Sequence, residues 1–204
     1  MTVKPPPHSI AITPGIYDNI QSVLSTMGFA AATDYDIIEA DEAALPGALD
    51  GYRYYFINCG HDLDPLNAGV QANIRGFVEG GGSLYASDWA LDVVLALWPA
   101  ALTDGGQTGA PELVDATVLD EELEAYLGKN AVSLDYNLGA WWTLVSVGAG
   151  TTEMIRGSSG FVSGRPLLVQ FEAGDGRVTY TTFHNEAQTT FDMDRILAFL
   201  VFTL

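Results

Sequence analysis

The chain has 204 residues, 48% of them apolar, and carries 26 Asp and Glu against 8 Lys and Arg, a formal charge of −18. That length supports one buried core, and a field of that sign repels phosphate backbones and anionic headgroups, which excludes nucleic acid and membrane surfaces as partners. A single cysteine, Cys59, excludes an internal disulfide and any multi-cysteine metal cluster.

The opening residues 1–8 lack an apolar h-region, and no apolar run approaches the roughly 18 residues of a membrane span, so a cytoplasmic location is expected. Residues 9–13 read as a short buried strand, and Thr13-Pro14 suits an N-cap followed by proline at the first helical position. Ile16, Ile20, Val23, Leu24 and Met27 then recur at helical spacing until Gly28. Residues 35–39 and 54–58 are short apolar runs bounded by turn residues, a second and a third strand. Asp64-Pro65 opens a helix with Val70, Ile74, Phe77 and Val78 as its stripe, stopped by Gly80-Gly81-Gly82. Residues 83–87 form a fourth strand, after which Asp88 starts an apolar helix through Val93, Val94 and Leu97.

Between residues 104 and 165 the rhythm breaks into Gly-, Thr- and Ser-rich sequence with β-like pieces at 116–119 and 144–147, expected to be a small β-rich insertion. Residues 167–171 and 177–183 flank Gly174-Asp175-Gly176, a hairpin signal. Ile196, Leu197, Leu200 and Val201 give a closing helix its packing face. Strands alternating with helices predict one α/β domain over 1–204, built on a doubly wound, mostly parallel, flavodoxin-like sheet.

Ligands of such sheets bind beyond the carboxyl ends of the strands. Three groups fall there: Asn58-Cys59-Gly60-His61-Asp62, Ser87-Asp88-Trp89, and Phe183-His184-Asn185-Glu186. The last resembles the Phe-His-Pro-Glu signature of class I glutamine amidotransferases, whose fold is flavodoxin-like. The resemblance implies that His184 and Glu186 work with a nucleophilic cysteine on a sharp turn after a central strand. Counted from Gly80-Gly81-Gly82, that position holds Asp88. Gly60 lies where the family's oxyanion loop follows its strand. The resemblance makes Asp88, His184 and Glu186 the catalytic candidates; Gly60, together with His61, Ser87 and Trp89 at the same strand ends, is a ligand-binding candidate.

A carboxylate is a poor nucleophile toward an amide, so glutaminase activity is not expected. Asp directly before a helix is also a preferred N-cap, and an Asp-Trp pair on a strand–helix elbow also serves as a nucleophile toward esters and carbon–halogen bonds. Both readings stay open. His61, Asp62, Asp64, Asp88, His184 and Glu186 offer oxygen and imidazole ligands, but their spacing matches no zinc motif, so no metal and no cofactor is expected. Cys59 reads as a small buried hydrophobe, and Tyr136, Trp141 and Trp142 as packing residues. Two functions remain: a degenerate, non-catalytic module binding a protein partner or a small molecule, and a hydrolase with Asp88 as nucleophile or metal ligand, His184 as base and Glu186 as its orienter.

Overall fold

The computed structural model describes residues 6–186 and 191–203. β1 (Ile10–Thr13) is buried along its length, with Ile10 and Ile12 on one face of the sheet and Ala11 on the other. α1 (Ile20–Thr26) starts later than Thr13-Pro14 suggests, because its N-cap is Asn19, whose side chain accepts from Ser22 N–H. Residues 14–18 are instead a loop whose Ile16 and Tyr17 N–H groups donate to the carbonyls of Gly60 and Cys59, at 3.3 and 3.2 Å. Those donors are satisfied across the sheet edge rather than within a helix, and Ile16 is left 75% exposed.

β2 (Tyr35–Ile37), α2 (Ala40–Ala43) and β3 (Tyr54–Ile57) follow. α3 (Ala68–Glu79) is capped by Asn67, whose side chain accepts from Gly69 and Val70, while Asp64 closes a tight turn onto Leu66 N–H at 2.9 Å. β4 (Ser83–Ser87) leads through one 3-10 turn (Asp88–Ala90) into α4 (Leu91–Leu97). Then come β5 (Leu102–Thr108), β6 (Glu112–Val118), α5 (Glu121–Leu127), β7 (Ala131–Tyr136), β8 (Trp141–Val147) and β9 (Thr151–Gly157). The hairpin of β10 (Arg165–Ala173) and β11 (Gly176–Thr181), and α6 (Phe191–Thr203), complete the order.

The described strands form a nine-stranded sheet in the order β2-β1-β3-β4-β11-β10-β9-β6-β7, with β5 and β8 paired separately. β2, β1, β3, β4 and β11 pair in parallel, and β10, β9, β6 and β7 continue the sheet with antiparallel pairings. The register sets Ile57 beside Ala86 and Ser87 beside Thr181, so the carboxyl ends of β3, β4 and β11 lie next to one another. Period-2 alternation feeds two cores. Ile10, Ile12, Phe56 and Tyr85 pack with α1, α5 and α6, whereas Ala11, Tyr55, Ile57, Leu84 and Ala86 pack with α3 and α4.

The segment expected as a small insertion is woven into this architecture: β6, β7 and β9 extend the sheet itself, and Leu102 of β5 and Leu144 of β8 are buried in the core that holds α4. Its exposed positions alternate with buried ones along β6, which is why its composition reads as irregular although its register is regular. Ile196, Leu197 and Leu200 of α6 are buried as the spacing predicts, and the side chain of Val201 lies outside the described residues. Among the described residues no helix is long and apolar enough to cross a membrane.

Candidate functional site

The turn after β4 is an elbow. Asp88 adopts φ +42°, in the left-handed region that a non-glycine residue enters at a cost, and the chain then reverses into the 3-10 turn and α4. The strain is held from three sides. Ser87 Oγ accepts the N–H of Cys59 at 3.0 Å, Tyr180 OH donates to the Asp88 carbonyl at 3.0 Å, and Trp142 N–H donates to Asp88 Oδ1 at 2.7 Å. The Asp88 carboxylate therefore does not cap the helix, and the turn has no side-chain cap hydrogen bond.

Asp88 Oδ2 faces His184 Nε2 at 3.1 Å and the Cys59 thiol at 3.5 Å. The other ring nitrogen of His184, Nδ1, meets Asn137 Oδ1 at 3.0 Å. All three central residues are buried: Cys59 is 1%, Asp88 2% and His184 5% exposed. Burial, and then the charge of Asp88, push the Cys59 thiol far above the usual thiol range, although the backbone N–H of Trp89 directed at the sulfur works the other way. Cys59 is accordingly a thiol that donates to a carboxylate, not a thiolate.

Above this cluster lies a cavity of about 210 Å³ lined by Tyr17, Cys59, Asp88, Trp89, Leu138, Gly139 and His184. In its aromatic wall the Tyr17 and Trp89 rings meet edge to face at 5.2 Å, and the Trp89 indole N–H donates to the Ala140 carbonyl at 3.1 Å. A cleft of about 260 Å³ lined by Arg53, Ser83 and Arg177 lies at the opposite, amino ends of the strands, where none of the residues Cys59, Asp88 or His184 reaches.

No protein-family model matches the chain, and no curated protein does. Solved structures do. A ThuA-like protein from Bacteroides uniformis ATCC 8492 superposes over 95% of this chain and 91% of its own, at 13% identity and a TM-score of 0.69. A glutamine amidotransferase superposes over 95% of this chain and 97% of its own, at 14% identity and a TM-score of 0.62. The chain has a glutamine amidotransferase-like fold. A β-galactosidase from Rahnella sp. R3 contains a similar unit: 95% of this chain matches 31% of that one, at 17% identity and a TM-score of 0.58.

Within this amidotransferase-like fold the three candidate loops meet at one edge, as the strand order predicts, but not every candidate side chain enters the cluster. Asp88 and His184 do, and Trp89 lines the cavity. Ser87 and Gly60 act from behind. Ser87 fixes the backbone of Cys59, and Gly60, at φ +77°, leaves space that a Cβ would fill, 2.7 Å from Ile16 Cγ1 and Tyr17 Cδ2. His61 is held elsewhere, its Nδ1 accepting from Leu63 N–H at 3.1 Å and its Nε2 meeting Asp92 Oδ1 at 3.2 Å. The residue found at Nδ1 of His184 is Asn137, not the expected Glu186, which is exposed and donates its backbone N–H to Asp18 Oδ1 at 3.1 Å.

Sequence reasoning missed Asn137, Asp18, Tyr17 and the contact of Cys59 with Asp88, although the burial of Cys59 is as expected. Asn137-Leu138-Gly139 carries a turn signal between two β-like runs, but nothing in it says which edge of the sheet the turn reaches. Asp18, 1% exposed, sits in what reads as helix and instead accepts from Asn19, Asn185 and Glu186 N–H groups.

Proposed function

We propose that residues 1–204 form a single amidotransferase-like domain without glutaminase chemistry, serving as a ligand-binding or protein-interaction module whose site is the cavity over Asp88. The observation that supports this most directly is the engaged carboxylate at the elbow. Trp142 N–H, His184 Nε2 and the Cys59 thiol all address its two oxygens, whereas a nucleophile needs a lone pair aimed at open space. Cys59 does not replace the missing thiolate, because burial and Asp88 keep it protonated.

A cavity of about 210 Å³ is smaller than the roughly 300 Å³ at which drug-sized sites begin, so the occupant is a small metabolite-sized molecule or one inserted side chain of a partner protein. Tyr17, Trp89 and Leu138 offer it apolar walls and the Asp88–His184 pair a polar floor. The match to a third of a β-galactosidase chain fits a fold that is used as one part of a larger polypeptide. A single buried, unpaired cysteine suits the reducing cytoplasm.

Two measurements test this. Purified protein incubated with glutamine releases no ammonia above background, and small amines, amino acids and hydroxy acids screened by saturation-transfer NMR bind the wild type but not Leu138→Trp, which fills the cavity. Ammonia release that Asp88→Asn or Cys59→Ser abolishes, or hits that bind both proteins equally, would overturn the reading.

A second reading draws on the 3.1 Å contact between Asp88 and His184. In it Asp88 attacks an ester carbonyl to form a mixed anhydride, the alcohol leaving with a proton from solvent; His184 then takes a proton from the water that hydrolyses the anhydride and restores the Asp88 carboxylate, while Asn137 orients the ring in the place expected for Glu186. It requires Asp88 to leave the Trp142 N–H. Esterase activity lost in both Asp88→Asn and His184→Ala would favour it.

A further inference from the structure

The three side chains at the floor of the cavity come from three strand ends far apart in the chain, yet they present one sulfur, one oxygen and one imidazole nitrogen whose atoms all lie within 4.8 Å of one another. We propose that Cys59, Asp88 and His184 form a tetrahedral site for a divalent cation of zinc-like preference, with the fourth position opening into the cavity. This goes beyond the binding-module reading, which stands whether or not a metal is held.

The donor set is the first argument. Thiolate and imidazole together select zinc and its neighbours over magnesium or calcium, which favour oxygen-only shells. Geometry is the second. Bonds of about 2.3 Å to sulfur and about 2.0 Å to nitrogen and oxygen give tetrahedral edges of about 3.5 Å between S and O and about 3.3 Å between N and O. The observed separations are 3.5 Å for Cys59 Sγ to Asp88 Oδ2 and 3.1 Å for His184 Nε2 to the same oxygen. Two of the three edges already match, and the third, from Cys59 Sγ to His184 Nε2, lies within 4.8 Å, a span that a side-chain adjustment closes as the direct hydrogen bonds are lost.

Support behind the ligands is the third argument. Metal-binding histidines place their second nitrogen on a fixed partner, which holds the ring's orientation. Here His184 Nδ1 meets Asn137 Oδ1 at 3.0 Å, Asp88 Oδ1 is fixed by Trp142 N–H at 2.7 Å, and the Cys59 backbone N–H is held by Ser87 Oγ at 3.0 Å. The second polar atoms of His184 and Asp88 and the backbone of Cys59 are thus each held by a partner outside the site. Tyr17, Leu138 and Gly139 leave room above it for a water or an oxygen of the cavity's ligand. Binding displaces the thiol proton to solvent as the metal–sulfur bond forms.

The sequence spacing of 59, 88 and 184 matches no zinc motif because no two of these ligands share a helix or a hairpin; the parallel sheet alone brings them together. Full-length protein stripped with a chelator and titrated with cobalt(II) tests the site. The expected result is one equivalent bound, with a thiolate-to-cobalt charge-transfer band in the near ultraviolet and visible bands of four-coordinate intensity. Since Cys59 is the single cysteine, that band assigns the site without any variant. Zinc then abolishes it by competition, and Asn137→Ala weakens zinc binding about 10- to 100-fold. Absence of the charge-transfer band, or a zinc isotherm unchanged in Cys59→Ser, would overturn the proposal and leave the cavity-binding measurements untouched; the many exposed carboxylates bind without that signature.

Discussion

Asp18 is the joint between the first and last loops of the site, and removing its carboxylate tests whether the edge is assembled as described. Its Oδ1 accepts from Asn19 and Glu186 N–H at 2.9 and 3.1 Å, and its Oδ2 from Asn185 N–H at 3.3 Å. The Asn185 contact is buried, so its donor is left unsatisfied in Asp18→Ala, at about 1–3 kcal/mol. The other two are part-buried and regain water, which limits each to roughly 0.5–1 kcal/mol. The sum is about 3 kcal/mol. With a urea slope of about 2 kcal/mol per molar, the unfolding midpoint falls by about 1.5 M. Because the same bonds hold the residues directly after His184, cobalt or ligand binding at the cavity weakens in the variant while the slope stays constant. A midpoint loss under about 0.5 M, or full stability with normal binding, would refute the view that Asp18 ties the two loops.

Gly15→Ala places a Cβ 2.2 Å from the Cys59 carbonyl and 2.9 Å from Asn58 Cβ, so the backbone beneath the cavity must shift; thermal or urea unfolding should show a loss of about 2–3 kcal/mol. Burial holds Tyr55, Tyr85, Tyr136, Tyr180 and Cys59 above their ordinary values, so the native state keeps protons that the unfolded chain releases near its ordinary thiol and phenol values. Stability is therefore full below about pH 8.5 and falls as pH rises through and beyond 10, at about 1.4 kcal/mol per unit for each group. Urea midpoints measured from pH 7 to 11 check this, and a flat profile above pH 10 would contradict it. Cys59 should resist iodoacetamide in the folded protein and react at the ordinary thiol rate in urea; rapid alkylation at neutral pH would mean that the thiol is neither buried nor protonated.

The alternation of strands and helices and the two-sided burial of the central strands were legible in the chain, because both follow from spacing within a few residues. Ile10, Ala11 and Ile12 divide between the cores by period 2, and Val70, Ile74 and Val78 line one face of α3 by period 3.6. Parallel pairing then put the residues after β3, β4 and β11 at one edge, so the neighbourhood of Asp88 and His184 was legible. What those side chains touch follows from long-range contacts. Asn137 reaches His184 across 47 positions, Cys59 reaches Asp88 across 29, and Asp18 reaches Asn185 across 167. Local propensity also misread residues 14–18, where backbone donors find partners in a distant loop rather than in their own turn of helix, and it gave the β character of 104–165 but not the joining of β6, β7 and β9 to the main sheet. Short-range periodicity fixes which face a residue takes; the meeting of three strand ends, and with it the chemistry at the elbow, depends on contacts that no local pattern encodes.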